Sequence, residues 1–256
     1  MCGILGSVGG HFERPVIERA LERLRHRGPD DDGIEQLGEP DLPVWLAFRR
    51  LSILDLSPRG HQPMADPRGE HWIVFNGEVY NFRELRRQLE ARGHAFRTAT
   101  DTEVVLAAYR EWGAAAVERF TGMFAFAIWD APARTLLLAR DRLGKKPLYY
   151  HLAHGRLDFA SEIKALLALP GIERRIDVDA AAKFFNFLWV PDPDTLFQGI
   201  RQLEPGALAL FRDGRLLQRR YWDVPLDPAP AGAVNAREAE ERLDALLGDA
   251  VACRLE

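Results

Sequence analysis

The chain begins Met1-Cys2-Gly3-Ile4-Leu5-Gly6, and removal of the initiator would leave Cys2 as the N-terminal residue. One residue would then hold a thiol nucleophile beside a free α-amine, whose ordinary pKa of about 7.7–8.0 makes it a usable base near neutral pH. A thiol is already a few per cent ionised there, and a neighbouring base raises its effective nucleophilicity. The same cysteine could be an inert thiol at the start of a strand, since free cysteine packs as a small hydrophobe. Other stretches also concentrate polar chemistry. Arg25-His26-Arg27-Gly28-Pro29-Asp30-Asp31-Asp32-Gly33 has the punctuation of a turn, and reads as a solvated loop or as a polar loop lining a site. Asn76-Gly77 is a common tight-turn dipeptide, Asp101 fits a helix N-cap, and Arg140-Asp141 reads as an ion pair or a domain contact. The sequence has no phosphate loop of the Walker type and no zinc-like Cys/His spacing, so no metal site is expected in it.

The elements between these groups must position them. Residues 1–10 read as a short apolar strand closed by Gly9-Gly10, and Pro15 opens a helix with Ile17, Leu21 and Leu24 at helical spacing. Val44–Phe48 is a strand that delivers Arg49-Arg50-Leu51-Ser52-Ile53-Leu54, and His71–Phe75 one that delivers Asn76-Gly77-Glu78. Asn81 with Glu84 forms a capping box for a helix over Phe82–Arg92, and Asp101 precedes a helix over Val104–Trp112. Hairpins are expected from Phe120–Trp129 with Thr135–Ala139, from Leu148–His151 with Leu157–Ala160, and from Ala207–Phe211 with Leu216–Tyr221. Helices are expected over Glu162–Leu169 and Val178–Leu188. Hairpin connections imply mainly antiparallel sheet and an α+β class.

Domain organisation follows from Pro225, Pro228, Pro230 and Gly232, which mark a Pro/Ala-rich linker over 225–234 after a body spanning 1–224. Asn235 and Glu238 form a second capping box that opens a helix over 235–256, with Ala239, Leu243, Leu246, Leu247, Ala250 and Val251 on one face. A lone amphipathic helix has nothing of its own to pack on, so it reads as the first element of a further domain. Its apolar face leaves room for self-association, with a homodimer as one form.

Composition narrows the function classes. The 256 residues are 47% hydrophobic, enough for a sizeable core, and 34 basic against 38 acidic side chains give a net charge of −4. That mild, mixed balance argues against nucleic acid or an anionic membrane as the main partner. There is no basic-then-apolar leader and no run of about 18 apolar residues, so a cytoplasmic location is expected. A disulfide between the only two cysteines, Cys2 and Cys253, is unpersuasive without a secretory signal.

With these residues in view, the sequence resembles the glutamine-hydrolysing asparagine synthetases and, more broadly, the class II glutamine amidotransferases. The resemblance rests on Met1-Cys2-Gly3-Ile4, His26-Arg27-Gly28-Pro29-Asp30, Arg50-Leu51-Ser52-Ile53, Asn76-Gly77-Glu78-Val79-Tyr80-Asn81, Thr100-Asp101 and Gly122-Met123-Phe124-Ala125-Phe126. Arg140-Asp141-Arg142 with Gly144 and Pro147, then Ala160-Ser161-Glu162, continue it. It implies an N-terminal-nucleophile hydrolase fold, a four-layer αββα sandwich of two mainly antiparallel sheets. It also implies roles. Cys2 would attack the side-chain amide of glutamine with its own α-amine as base, while Asn76 and the Gly77 N–H form an oxyanion hole. Arg50 would bind the α-carboxylate, Glu78 and Asp101 the α-ammonium, and the backbone of Leu51, Ser52, Ile53 and Leu54 would line the pocket.

The resemblance further implies a synthetase domain that uses ATP and magnesium to activate aspartate and receives the ammonia. No loop of its Ser-Gly-Gly-x-Asp-Ser type is present, so no cofactor is expected on this chain, which reads as the glutaminase half plus one helix of a truncated synthetase. Two other readings stay open: the same glutaminase serving a different acceptor, and a non-catalytic glutamine-sensing or interaction module.

Overall fold

Alternation along the strands decides the architecture. A computed structural model of the chain describes residues 1–52, 58–226 and 235–255. In chain order the strands are β1 (Gly3–Val8), β2 (Asp31–Glu39), β3 (Leu42–Arg50), β4 (Met64–Ala65), β5 (His71–Val79), β6 (Gly122–Asp130), β7 (Thr135–Arg140), β8 (Tyr149–Ala153), β9 (Arg156–Ala160), β10 (Ile200–Gln202), β11 (Ala207–Arg212) and β12 (Arg215–Arg220). The helices are α1 (Arg14–Glu22), α2 (Phe82–Glu90), α3 (Asp101–Trp112), α4 (Ile163–Leu166), α5 (Val178–Phe187) and α6 (Ala236–Ala252). They build two six-stranded sheets, ordered β10-β8-β9-β1-β3-β2 and β12-β11-β7-β6-β5-β4, with every named pair antiparallel.

Successive strand residues point to opposite faces, so even-numbered and odd-numbered residues sort into different layers. Ile4 and Val8 of β1, Val44, Leu46 and Phe48 of β3, Val74 of β5 and Ala125, Ala127 and Trp129 of β6 meet between the sheets. The opposite face of the second sheet, with Ile73, Phe75, Phe124, Phe126 and Ile128, packs under Leu85 and Leu89 of α2 and Val104, Val105 and Ala108 of α3. Leu5, Trp45 and Ala47 pack under Ile17, Ala20 and Leu21 of α1 and Ala165 and Leu166 of α4. The outcome is four layers, αββα, as expected. Among the described residues no helix is long and apolar enough to cross a membrane.

Several local expectations are corrected. Asp31-Asp32-Gly33 is not loop but the start of β2, paired with Arg50, Arg49 and Phe48 across from it. Asn76-Gly77 is not a turn either, because β5 runs straight through both residues to Val79. Asn81 sits at the cap of α2 without capping it: its side chain donates to the Arg119 carbonyl and accepts from the Thr121 N–H instead. Thr100 rather than Asp101 caps α3, and Asp101 is its first helical residue. Arg140 and Asp141 are not paired with each other; Arg140 pairs with Asp192 at 3.1 Å. The capping box at Asn235 and Glu238 does form, with Asn235 Oδ1 accepting from the Glu238 N–H at 2.9 Å. On α6, Leu243, Leu246, Leu247 and Val251 are exposed, as are Phe185 and Phe187 on α5. Most of the proposed linker, residues 227–234, lies outside the described residues.

Candidate active site

The inward rows that form the core between the sheets end, at one edge of the sandwich, in polar side chains of the same parity. Cys2 continues the Ile4 row, Arg50 the Phe48 row, and Asn76 and Glu78 the Val74 row. The strands that bury those apolar residues thereby aim the polar ones at a single cavity. It is lined by Cys2, Arg50, Leu51, Asn76, Gly77, Glu78 and Asp101, together with Met1, Phe48, Phe75, Gln62 and Lys146.

Cys2 is held by backbone contacts at the exit of β3. Its Sγ lies 3.5 Å from the Leu51 nitrogen and 3.7 Å from the Leu51 carbonyl oxygen. Burial pushes the thiol above its ordinary pKa, while the Leu51 N–H, the terminal ammonium, Lys146 and Arg50 pull the other way. The terminal amine, here on Met1, is shifted down, first by desolvation and then by the cations Arg27 and Lys146 against the charge of Cys2. Both cysteines are free thiols.

The polar turn before β2, for which a solvated loop and a loop lining a site were both open, is a clamp at the cavity. Arg27 is buried, donates from Nε to the Cys2 carbonyl at 2.9 Å, and is itself anchored by Glu162 at 2.9 Å. Partial burial opposes the ionisation of Glu162, but hydrogen bonds from Arg27, His26 and Lys164 hold its pKa down at about 2. Asp30 donates its N–H to the Arg50 carbonyl and accepts from the Ser52 N–H at 2.8 Å, fixing the first residues after β3. Gly28 is required here, because a Cβ would lie 2.5 Å from the Arg49 carbonyl.

Asn76 carries the most telling group. The residue is 1% exposed, and its Nδ2 has no hydrogen-bond partner among the described residues. Buried donors are nearly always satisfied, so an orphan aimed at a cavity marks a place where a ligand oxygen completes it. Gly77 supplies a second donor by strand geometry. The Phe124 N–H and carbonyl, opposite Gly77, both bond Asp141 on the other side, so Gly77 and Phe124 do not bond each other. The Gly77 N–H therefore points off the sheet edge. Its neighbours on that edge do the same: the Phe75 N–H donates to Gln62 Oε1 at 2.7 Å and the Val79 N–H to Asp101 Oδ2 at 2.9 Å. Glycine is needed because a Cβ would lie 2.4 Å from the Met123 oxygen.

The far wall is charged. Arg50 is buried, with Gly60 so close that a Cβ there would meet the guanidinium at 2.1 Å. Glu78 is half-buried, and Asp101 beside it is 5% exposed. Burial first, and the charge of Glu78 second among the forces that raise it, push Asp101 up to about 6 against the pull of the Val79 N–H. A carboxyl that holds its proton more tightly when folded costs stability once it must ionise. That penalty grows between about pH 4 and pH 6 and is complete above it, on the order of 3 kcal/mol. Asp101→Asn keeps an acceptor for Val79 and should therefore raise the melting temperature by a few degrees at pH 7.5 but not at pH 4. An equal gain at both pH values, measured by calorimetry, would contradict this account.

Of the expected site residues, Cys2, Arg50, Leu51, Asn76, Gly77, Glu78 and Asp101 come together. Ser52 does not line the cavity, its N–H being taken by Asp30, and Ile53 and Leu54 lie outside the described residues. Arg27, Gln62 and Lys146 were given no role from the sequence; the place of Arg27 inside the His26-Arg27-Gly28-Pro29-Asp30 run was the available signal. Away from the cavity, Asp66, Glu70 and His71 bring donor atoms within 4.8 Å of one another. Asp66, however, is already engaged by Arg110 Nε at 3.1 Å and by the Glu70 and His71 N–H groups, which makes it a loop clamp. A half-buried thiol, two open N–H donors, a guanidinium and two carboxylates around one cavity can perform acyl transfer on a substrate bearing its own carboxylate and ammonium.

Comparison with known proteins agrees with this geometry. Residues 1–222 match the glutamine amidotransferase domain family. The chain is 39% identical over 235 residues to asparagine synthetase [glutamine-hydrolyzing] 1 of Bacillus subtilis, covering 89% of this chain and 36% of that protein. It is 40% identical over 232 residues to asparagine synthetase [glutamine-hydrolyzing] 3 of the same organism, covering 88% and 37%. The chain thus spans little more than a third of the length of these curated relatives. Among solved structures, glutamine phosphoribosylpyrophosphate amidotransferase from B. subtilis superposes with a TM-score of 0.61 at 22% identity, over 86% of this chain and 49% of that one. The fold is that of the N-terminal-nucleophile hydrolases, and the chain belongs to the glutamine amidotransferase domain family.

Proposed function

We propose that this domain hydrolyses glutamine to glutamate and ammonia through a γ-glutamyl thioester on Cys2. The observation that carries the reading is the orphaned Asn76 Nδ2 in the same cavity as the Cys2 thiol. Once Met1 is removed, the α-amine of Cys2 takes the thiol proton as Sγ attacks the carboxamide carbon. Asn76 Nδ2 and the Gly77 N–H receive the oxygen as it gains charge, each such donor being worth roughly 3–4 kcal/mol of barrier. The protonated amine then returns its proton to the leaving nitrogen, ammonia departs, and water cleaves the thioester.

In this reading Arg50 takes the α-carboxylate of glutamine through its planar fork, a geometry a lysine ammonium cannot match. Glu78 and Asp101 take the α-ammonium, and the backbone of Leu51 to Leu54 borders the pocket. Removing Met1 also moves the amine next to the thiol it serves, which is why an unprocessed chain should be inert. The test is release of glutamate from glutamine by the processed chain with no other substrate present. A processed, folded chain that releases none would refute the reading.

The ammonia would pass to an ATP-dependent amide-forming domain, with aspartate as the acceptor, in a cytoplasmic enzyme. ATP and magnesium belong to that domain in this reading. Its support is the similarity to two asparagine synthetases, each of which extends well beyond the matched region. The exposed apolar residues of α5 and α6 are consistent with surfaces that such a domain covers.

A further inference from the structure

One charged residue of the cavity is left without a task by this reading. Lys146 lines the same cavity as Cys2 and Glu78 and is 8% exposed, yet its ammonium makes no hydrogen bond or ion pair with any described residue. A largely buried cation that makes no direct ion pair is costly, so the fold must hold it there. The loop that carries it is built to do so. The Asp141 carboxylate accepts from the N–H groups of Leu143, Lys145 and Lys146, and from the Phe124 N–H on β6. Arg140 donates from Nε to the Lys146 carbonyl at 2.9 Å, and also to the Gly144 and Leu203 carbonyls. Both backbone polar groups of Lys146 are therefore fixed by buried ions. Arg140 and Asp141 present Lys146 rather than pair with each other.

We propose that Lys146 is a positioning cation for the nucleophile: its unpaired ammonium favours the Cys2 thiolate over the thiol and the free terminal amine over its ammonium form, extending reactivity to lower pH. The proton that leaves Sγ goes to the terminal amine, and Lys146 keeps its own. The charged groups around this pair are Arg27 and Asp30 from the turn before β2, Arg50 from β3, Glu78 from β5, Asp101 from α3 and Asp141 after β7. Arg27 is neutralised by Glu162. Burial, and then Arg27, draw the Lys146 pKa down from its usual value, while Cys2, Asp141 and Glu78 support its charge. The substrate depends on the glutaminase reading; the effect on the thiol does not.

The test measures alkylation of Cys2 by iodoacetamide against pH in the Met1-processed chain, with Cys253 in the same molecules as internal control. K146M is compared with wild type, K146R and K146Q. Neutral variants are expected to move the Cys2 midpoint up by about 0.5 to 1 pH unit, slowing reaction at pH 7 roughly three- to tenfold. K146R should react close to wild type, and Cys253 should be unaffected. The acid limb of kcat/KM for glutamine should move by the same amount. If K146M does not fold, K146Q carries the comparison by the same criterion. A neutral variant with the wild-type midpoint, or K146R shifted as far as K146Q, would overturn the proposal. A wild-type chain whose Cys2 responds to Lys146 but that hydrolyses no glutamine would refute the glutaminase reading and leave this one standing.

Discussion

Cys2→Ala is expected to reduce glutamine hydrolysis by at least about 10⁴-fold while leaving the domain folded. Among the described residues that line the cavity there is no other thiol; the hydroxyls of Thr100 and Thr102 are taken up by the Glu103 N–H and by Gln62 Nε2, and Cys253 lies at the end of α6. The variant keeps the terminal amine, so it removes the nucleophile without removing the base. Stability should barely change. Cys2 is a small, half-buried side chain whose only polar contacts among the described residues are weak ones to the Leu51 backbone. Glutamine should still bind, since the charges expected to hold its α-carboxylate and α-ammonium are untouched. A folded Cys2→Ala chain that keeps more than about a hundredth of wild-type turnover would show that the chemistry lies elsewhere.

The second large effect is expected at Asn76. Asn76→Ala should lower kcat by about 10²–10³-fold with little change in KM, because the lost donor acts on charge that develops only during reaction. The thermal consequence should run the other way from a typical core truncation. Nδ2 is buried without a partner, and deleting an unsatisfied donor removes a desolvation penalty rather than a hydrogen bond. The melting temperature should therefore stay level or rise as turnover collapses. A fall of more than about 2 kcal/mol in stability with kcat preserved would mean that Asn76 is a structural residue. Steady-state kinetics and calorimetry on one preparation separate the two.

Much of this site was legible in the chain because it follows from strand parity. Cys2, Arg50, Asn76 and Glu78 continue inward rows whose apolar members are visible in the sequence, so one alternation places core and chemistry together. What stayed hidden depends on contacts between distant segments. β2 begins with Asp31-Asp32-Gly33, residues typical of turns, and becomes a strand only because β3 offers a continuous partner from Arg50 to Leu42. Asn76-Gly77 resembles a hairpin turn until β6 is laid beside it. Asp101 was read one position too early as a cap. Sitting instead on the first turn of α3, it turns its carboxylate to the Val79 N–H and thereby joins the wall next to Glu78. Lys146 gave no local signal, and Arg27 only its place inside the His26-Arg27-Gly28-Pro29-Asp30 run, because a buried cation looks like any surface basic residue until its surroundings are known.

The central claim is that Cys2, as the processed N-terminal residue, is the nucleophile that glutamine meets. The most direct measurement is the intact mass before and after exposure to an electrophilic glutamine analogue, followed by peptide mapping. The account predicts loss of one methionine and a single adduct on Cys2, blocked by excess glutamine. A processed chain that hydrolyses glutamine yet carries no adduct on Cys2, or carries it elsewhere, would contradict it.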